Sequence, residues 1–149
     1  MREGSLTGRE VAKDSVTFSG HPMVRSLHPR TIEITAEDHL TEKGDCIIGV
    51  SASKGCAHLD PWVKEGLRRL GSQVTLSLVV GQFRFEVKAH GDPGLELSHP
   101  KDLVIRKSEF VSDRTLAIRA DRASIDIPRE MVRLLRNPAT NGTLEIEVV

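Results

Sequence analysis

The feature that most constrains the fold of this chain is a pair of alternating segments separated by two residues. Residues 74–80 and 83–90 alternate apolar and polar side chains, and Gly81-Gln82 stands between them. A two-residue loop that begins with glycine favours a type II′ turn, which sets the register of an antiparallel hairpin. A slip of one residue would turn every apolar side chain to the other face. The sequence therefore predicts a hairpin with one face in the core, in which these residues lie opposite each other: Val74 and Ala89, Leu76 and Val87, Leu78 and Phe85, and Val80 and Phe83.

Other short segments follow the same period of two and predict further strands. They are residues 31–35, 103–105, 115–119, 123–127 and 143–148. Residues 46–50 are apolar throughout, which is typical of a central strand covered on both faces. Short helices are predicted at Asp60-Pro61 and at Pro128, and no internal repeat is apparent. Many short strands with few helices predict a mainly β fold, a single-domain β-sandwich or closed barrel with one or two short helices.

Length and charge limit the classes of protein to which this sequence can belong. At 149 residues the chain has room for one ordinary domain. We expect that domain to span residues 14–149, after a flexible N-terminal segment of residues 1–13. Lys and Arg number 21, Asp and Glu also number 21, and hydrophobic residues make up 38%. This balance argues against a polybasic arm, an acidic tail and a disordered chain, and against nucleic acid as a partner.

Neither a membrane segment nor a secretion signal is apparent, so we expect a cytoplasmic protein without membrane contact. No apolar stretch approaches the roughly 20 residues that cross a bilayer, and the N-terminus lacks the apolar run of a signal peptide. Cys46 and Cys56 have no C-x-x-C pairing, so neither a disulfide framework nor a cysteine-rich zinc site is predicted. We expect Cys46 to be a buried, reduced thiol.

Three of the six histidines directly precede proline: His21, His28 and His99. A residue before proline is held in an extended conformation, which sets the direction of its side chain. Such an imidazole could bind a metal, donate to an anion or move a proton near neutral pH, and these three histidines are the candidate metal ligands. The alternative is that each histidine only forms hydrogen bonds within its own turn. Their spacing matches no short metal-binding motif, so a shared site would depend on the fold.

A second candidate site is the polar segment that follows His99. It carries Asp102, Arg106, Lys107 and Arg114. A guanidinium can hold a phosphate or a carboxylate through two parallel hydrogen bonds, so this segment could bind a small anionic ligand. The other interpretation is a solvated strand end whose charges pair with one another.

Several separated motifs together resemble a known family. They are Ser19-Gly20-His21-Pro22, the run of residues 40–50 and the segment of residues 99–116. In this order they resemble the archaeal family known as domain of unknown function 371, over residues 16–149. The resemblance implies a small, mainly β domain of sandwich or jelly-roll type and brings no activity, because the family is uncharacterised. It also implies an acidic residue at position 53, where this chain has serine. Six residues lie within the family-like motifs: His21, Asp45, His99, Asp102, Arg106 and Lys107.

Three functions are compatible with these residues. The first hypothesis is a binding module for a small anionic ligand or a metal, formed by the His-Pro loops and the Arg-Lys segment. Its candidate ligand-binding residues are His21, His28, Asp45, His99, Asp102, Arg106, Lys107 and Arg114. The second is an enzyme in which a histidine acts as acid or base and Asp45 or Asp102 orients it. The third is a protein- or RNA-interaction domain. The sequence identifies no cofactor, and a homo-oligomer stays open because exposed sheet edges need covering.

Overall fold

The computed structural model describes residues 11–40 and 44–149, and within them eight strands form two four-stranded sheets. The strands are β1 (Ala12–Ser19), β2 (Thr31–Thr35), β3 (Ile47–Gly49), β4 (Gln73–Val80), β5 (Phe83–His90), β6 (Asp102–Arg106), β7 (Thr115–Ala117) and β8 (Asn141–Val148). The helices are α1 (Pro61–Leu67) and α2 (Arg129–Leu135), with single 3-10 turns at Gly44–Cys46, Cys56–His58 and Ser124–Asp126.

The two sheets share one hydrophobic core. The first sheet has the strand order β1-β8-β4-β5 and is antiparallel throughout. The second has the order β3-β2-β6-β7, with an antiparallel pair at its centre and a parallel pair at each edge. Apolar side chains from both sheets and both helices form a single cluster, which confirms the mainly β, two-sheet prediction. The jelly-roll likeness is not confirmed, because the parallel pairs depart from two antiparallel Greek keys.

The predicted hairpin is confirmed. β4 and β5 pair in the predicted register, from Val74 opposite Ala89 to Val80 opposite Phe83. Gly81 opens the two-residue loop with a φ of 58°, a conformation that glycine adopts without a steric penalty. Turn chemistry and the alternating pattern thus determine the register of the first sheet's edge.

Two local predictions are wrong, and one boundary differs. Residues 46–50 contain an edge strand, β3, rather than a central one, although β3 is buried. Residues 123–127 form a 3-10 turn instead of a strand, because the Ser124 hydroxyl bonds backbone carbonyls of Thr31 and Cys46. β1 begins at Ala12, two residues before the expected domain boundary. Residues 1–10 of the predicted flexible segment lie outside the described residues.

The structure contains an internal repeat, contrary to the expectation from the sequence. The series from β5 to β8 is three strands, a 3-10 turn, a helix and a strand. The series from β1 to β4 is the same except for one additional 3-10 turn, Gly44–Cys46, before its third strand. β1 begins at residue 12 and β5 at residue 83, 71 positions later; β4 begins at residue 73 and β8 at residue 141, 68 positions later. Exchanging the two units reverses the strand order of each sheet and otherwise leaves it unchanged. The chain is therefore a pseudo-twofold arrangement of two equivalent units.

Backbone details support this equivalence. A non-glycine residue with positive φ is uncommon, so matching positions for such residues are informative. The matching features are the β-bridges Ser19–Val50 and His90–Ile118, and the positive-φ pairs Ser26 with Leu97 and Ser51 with Arg119. The sequence carries the same signal, since Gly20-x-Pro22 followed by His28-Pro29 recurs as Gly91-x-Pro93 followed by His99-Pro100.

Candidate functional site

A pocket of about 590 Å³ lies on the outer face of the second sheet. Ile32 and Ile34 of β2 face the core, so Glu33 and Thr35 between and beyond them face outward. β6 adds Asp102, which pairs with Thr35 across the antiparallel ladder. The full lining is Glu33, Thr35, Glu37, His39, Cys46, Ile47, His99, Pro100, Lys101, Asp102 and Arg114.

The base of the pocket is an ion cluster of two carboxylates and one guanidinium. Arg114, directly before β7, donates to Glu33 and to Asp102, each at 3.1 Å. The Thr35 hydroxyl donates to the second oxygen of Asp102 at 2.7 Å. Glu33 is 5% exposed and Asp102 is 9% exposed, whereas the Arg114 side chain is 40% exposed. Two buried negative charges therefore lie beneath one half-exposed positive charge.

Burial raises the pKa of Glu33 above its ordinary value. The Arg114 guanidinium opposes this shift, while the nearby Asp102 carboxylate adds to it. Desolvation and like charge both favour the neutral acid. Glu33 is thus the acid in the cluster that binds a proton more readily than an exposed glutamate does.

His99 presents an N–H group rather than a lone pair at its free nitrogen. Its Nδ1 accepts the backbone N–H groups of Lys101 at 3.1 Å and Asp102 at 2.9 Å. These partners assign the hydrogen of the neutral ring to Nε2. Nε2 lies 3.8 Å from an oxygen of Asp102. In this arrangement the ring is a hydrogen-bond donor on the pocket side.

The other two His-Pro histidines have the same local role but do not line the pocket. Nδ1 of His21 accepts the N–H of Met23 at 3.0 Å, and Nδ1 of His28 accepts the N–H of Arg30 at 3.1 Å. Asp92, equivalent to His21 in the second unit, accepts the N–H of Gly94 in the same way. The interpretation as turn hydrogen bonding therefore holds for all three histidines, although their partners are backbone amides rather than carbonyls.

The thiols are poor nucleophiles at neutral pH. Cys46 lines the pocket with its sulfur 3.6 Å from Glu33, and burial raises its pKa to about 11, with a further contribution from the Glu33 carboxylate. Cys56 is fully buried, and burial raises its pKa to about 12. The thiolate is the reactive form of cysteine, so neither Cys46 nor Cys56 is suited to nucleophilic attack at neutral pH.

The pocket brings together three of the predicted ligand-binding residues: His99, Asp102 and Arg114. The other five, His21, His28, Asp45, Arg106 and Lys107, lie outside the lining. Asp45 pairs with Arg25 at 3.2 Å, and Lys107 lies 3.7 Å from Asp126. In residues 11–40 and 44–149, no group of three or more His, Cys, Asp or Glu side chains is arranged to hold a metal ion.

Several lining residues are absent from the sequence-based candidates. Glu33 and Thr35 read as the polar half of an ordinary alternating strand, and Glu37 as part of a polar loop. One strand follows His28 and another follows His99, and the two pair antiparallel. In such a pair the end of one strand lies beside the start of the other. That pairing places Thr35 next to Asp102.

Comparison with known proteins places the chain in a family. A family model described as Domain of unknown function (DUF371) matches residues 16–149. The chain belongs to this family. An uncharacterised protein of Methanocaldococcus jannaschii is 39% identical to this DUF371 domain over 121 residues, which cover 81% of this chain and 89% of the relative.

All the residues that line the pocket fall within the part of the DUF371 domain that the family model matches. Among the described residues, no helix has both the length and the apolar character needed to cross a lipid bilayer.

Proposed function

We propose that this DUF371 domain is a binding module for a small polar molecule that carries hydroxyl or ammonium groups. The observation that carries the proposal is the pocket of about 590 Å³ with Glu33 and Asp102 buried at its base. Pockets of roughly 300–1,000 Å³ with a few oriented polar groups are typical of small-molecule sites. Arg114 and Thr35 hold the two carboxylates in fixed positions before a ligand arrives.

The charges of the pocket favour a ligand that donates hydrogen bonds. Arg114 already pairs with two carboxylates, and Lys101 pairs with Glu37 at 2.6 Å, so an anion would have to displace an existing partner. An ionised carboxylate accepts about four hydrogen bonds. Asp102 accepts two from side chains, which leaves it acceptor capacity. The proposed ligand therefore differs from the anionic one expected from the sequence, because it presents hydroxyl or ammonium groups to the carboxylates.

The geometry at His99 and Cys46 favours binding over acid-base or thiol catalysis by these two residues. A histidine base needs an exposed lone pair, but Nδ1 of His99 is occupied by two backbone amides. The pKa of about 11 at Cys46 removes a thiolate nucleophile at neutral pH. His99 and Cys46 instead serve as lining groups that orient a ligand.

Thermal-shift titration with amino acids, linear polyamines and sugars tests the proposal, with isothermal calorimetry on each compound that stabilises the protein. Binding to the folded state alone stabilises it by about 2.7 kcal/mol at a ligand concentration a hundred times Kd. We expect at least one compound to bind, and Asp102→Asn to weaken its binding at least about tenfold, or ~1.4 kcal/mol. Glu96→Gln, an exposed acidic residue outside the lining, is the matched control and should bind as the wild type does. Equal affinity in the Asp102→Asn variant, or no binding by any compound, would overturn the proposal.

A further inference from the structure

The internal repeat gives the pocket an equivalent location in the other half of the second sheet. Residues 28–38 correspond to residues 99–109, as the matched hydrogen bonds Ser51 N–H to Glu37 carbonyl and Arg119 N–H to Ser108 carbonyl show. The equivalent location therefore lies where Arg106, the last residue of β6, pairs with Thr31, the first residue of β2. His28 and Arg30 directly precede that end of β2. Comparing the two locations position by position shows how their chemistry has diverged.

The carboxylates of the pocket have no counterparts at the equivalent location. Glu33 corresponds to Val104, Glu37 to Ser108 and Asp102 to Thr31. The cations are placed differently there, since Lys101 corresponds to Arg30, Thr35 corresponds to Arg106, and Arg114 corresponds to Cys46. The three lining carboxylates thus belong to one half of the face, and the other half carries Arg30 and Arg106 in place of Lys101 and Thr35.

Within the described part of the chain Arg106 forms no ion pair, although the Glu33 carboxylate acts on its charge from a greater distance. Its Nε donates to the Thr115 hydroxyl at 2.9 Å, and a terminal nitrogen lies 3.5 Å from the Ser112 hydroxyl. The centre of the Phe110 ring lies 4.9 Å from the guanidinium carbon of Arg106. All these partners are neutral, and among the described residues no carboxylate lies within ion-pair distance of Arg106 or Arg30.

The surroundings of Arg106 make this charge costly for the protein. Burial lowers the pKa of the Arg106 guanidinium, and the positive charge of Arg114 nearby lowers it further, while the Glu33 carboxylate opposes both effects. A partly buried cation beside a second cation gains from an anion more than an exposed one does, because desolvation strengthens the interaction. Its hydroxyl contacts hold the guanidinium in a fixed orientation, which suits planar, two-point recognition of an oxyanion.

His28 adds a further donor of known orientation. Its Nδ1 accepts the N–H groups of Arg30 and Thr31, each at 3.1 Å, and contacts the Thr31 hydroxyl at 2.9 Å. As at His99, these bonds assign the hydrogen of the neutral ring to Nε2. Thr31 is the ladder partner of Arg106, so His28 lies at the Arg106 end of the β2–β6 pair.

We propose that Arg106, with Arg30 and His28 beside it, forms a second subsite on this face that binds an oxyanion, either a phosphate group or a carboxylate. The subsite is the pseudo-twofold counterpart of the pocket, with opposite charge preference. It does not depend on what the pocket itself binds.

Titration of the full chain with inorganic phosphate and, separately, with malonate tests the subsite. The readout is the arginine Nε–Hε signals in ¹⁵N-correlated NMR spectra at constant ionic strength, with chloride as the balancing anion. We expect one of the two anions to shift the Arg106 signal saturably, and the stronger of the two identifies the phosphate or carboxylate class. Arg106→Gln and Arg30→Gln should each weaken binding at least about tenfold, as followed on backbone amide signals of β6.

The matched control is Arg133→Gln, which removes the same charge from an exposed position on α2. We expect it to bind as the wild type does. Arg30→Gln keeps the test valid should Arg106→Gln fail to fold, since Arg30 is exposed. Non-saturating shifts with both anions, or equal loss in Arg133→Gln and Arg30→Gln, would show general charge attraction and overturn the subsite. Asp102→Asn should keep phosphate or malonate binding, so failure of the pocket proposal and failure of this one are distinguishable.

Discussion

The guanidinium of Arg114 lies 3.1 Å from a carboxylate oxygen of Glu33, a residue that is only 5% exposed. The pair joins β2 to the segment before β7 across the outer face of the second sheet. Because the carboxylate is buried and the guanidinium is half exposed, the pair fixes a negative charge beneath a positive one that reaches solvent. The stability of the site therefore depends on Arg114 more than its exposure suggests.

Replacement of Arg114 by Gln should destabilise the fold. Removing one partner of a buried pair costs about 3–5 kcal/mol, and the partial exposure of Arg114 puts the expected loss at the low end of that range. The loss should shrink as the pH falls through the raised pKa of Glu33, because protonation of Glu33 removes its uncompensated charge. Urea unfolding at several pH values measures it, with Arg133→Gln as the control. A loss that does not change with pH would contradict this account.

Replacement of Glu33 by Gln should change how stability depends on pH. The folded-state pKa of Glu33 is raised above the ordinary value of 4.5, so the folded state holds this proton more tightly than the unfolded state does. Glu33 therefore lowers stability as the pH rises from about 4.5 through its folded-state pKa. The stability of Glu33→Gln relative to the wild type should increase over that interval. Glu37→Gln is the comparison, because the pKa of Glu37 is lowered, mainly by its hydrogen bond with Lys101, and the trend should not appear there.

The thiol of Cys46 should react slowly with iodoacetamide in a Cys56→Ser background. With a pKa of about 11, it has little thiolate near pH 8, and we expect a rate at least about a hundredfold below that of a free cysteine. The rate should keep rising with pH up to about 11. Glu33→Gln should accelerate the reaction, since it removes the carboxylate that opposes ionisation. A rate that levels off near pH 8.5 would show that Cys46 is an ordinary exposed thiol.

Gly20 and Gly91 should respond alike to replacement by alanine. At each position a Cβ atom would overlap a backbone carbonyl at the end of a helix, that of Leu135 for Gly20 and that of Leu67 for Gly91. Overpacking of this kind typically costs about 1–3 kcal/mol. Gly94→Ala is the control, because a Cβ there meets only the flexible end of Asp92 within 3.4 Å. Thermal unfolding compares the three, and a tolerated change at only one of Gly20 and Gly91 would contradict the equivalence of the two units.

Local signals were sufficient to predict the β4–β5 hairpin, but neither the edge position of β3 nor the internal repeat. The Gly81 turn and the alternation around it predict the β4–β5 register, because both depend on neighbouring residues. The edge position of β3 depends on a parallel pairing with β2, which no local pattern encodes. Equivalent residues of the two units lie 68 to 71 positions apart, and few of them are identical. In the sequence the repeat is most visible as the recurring His28-Pro29 and His99-Pro100.

The candidate site could be predicted only in part, for the same reason. His99, Asp102 and Arg114 stand out as chemically unusual side chains in a short segment. Glu33 lies at the base of the same pocket, but its sequence context is that of any solvent-facing strand residue. Its burial results from the covering loops and from Arg114, which lies 81 positions later in the chain.

The pairing of β1 with β8 places the first and last strands side by side in the first sheet. Ala12 and Val148 are ladder partners, and they are the counterparts of Phe83 and Val80, which a two-residue turn joins. A short linker between the ends of β8 and β1, with a cut at Gly81-Gln82, would interchange the order of the two units while keeping every strand neighbour. The two units therefore meet at two equivalent strand pairs, β4–β5 and β8–β1. The chain connects the first pair directly through the hairpin turn.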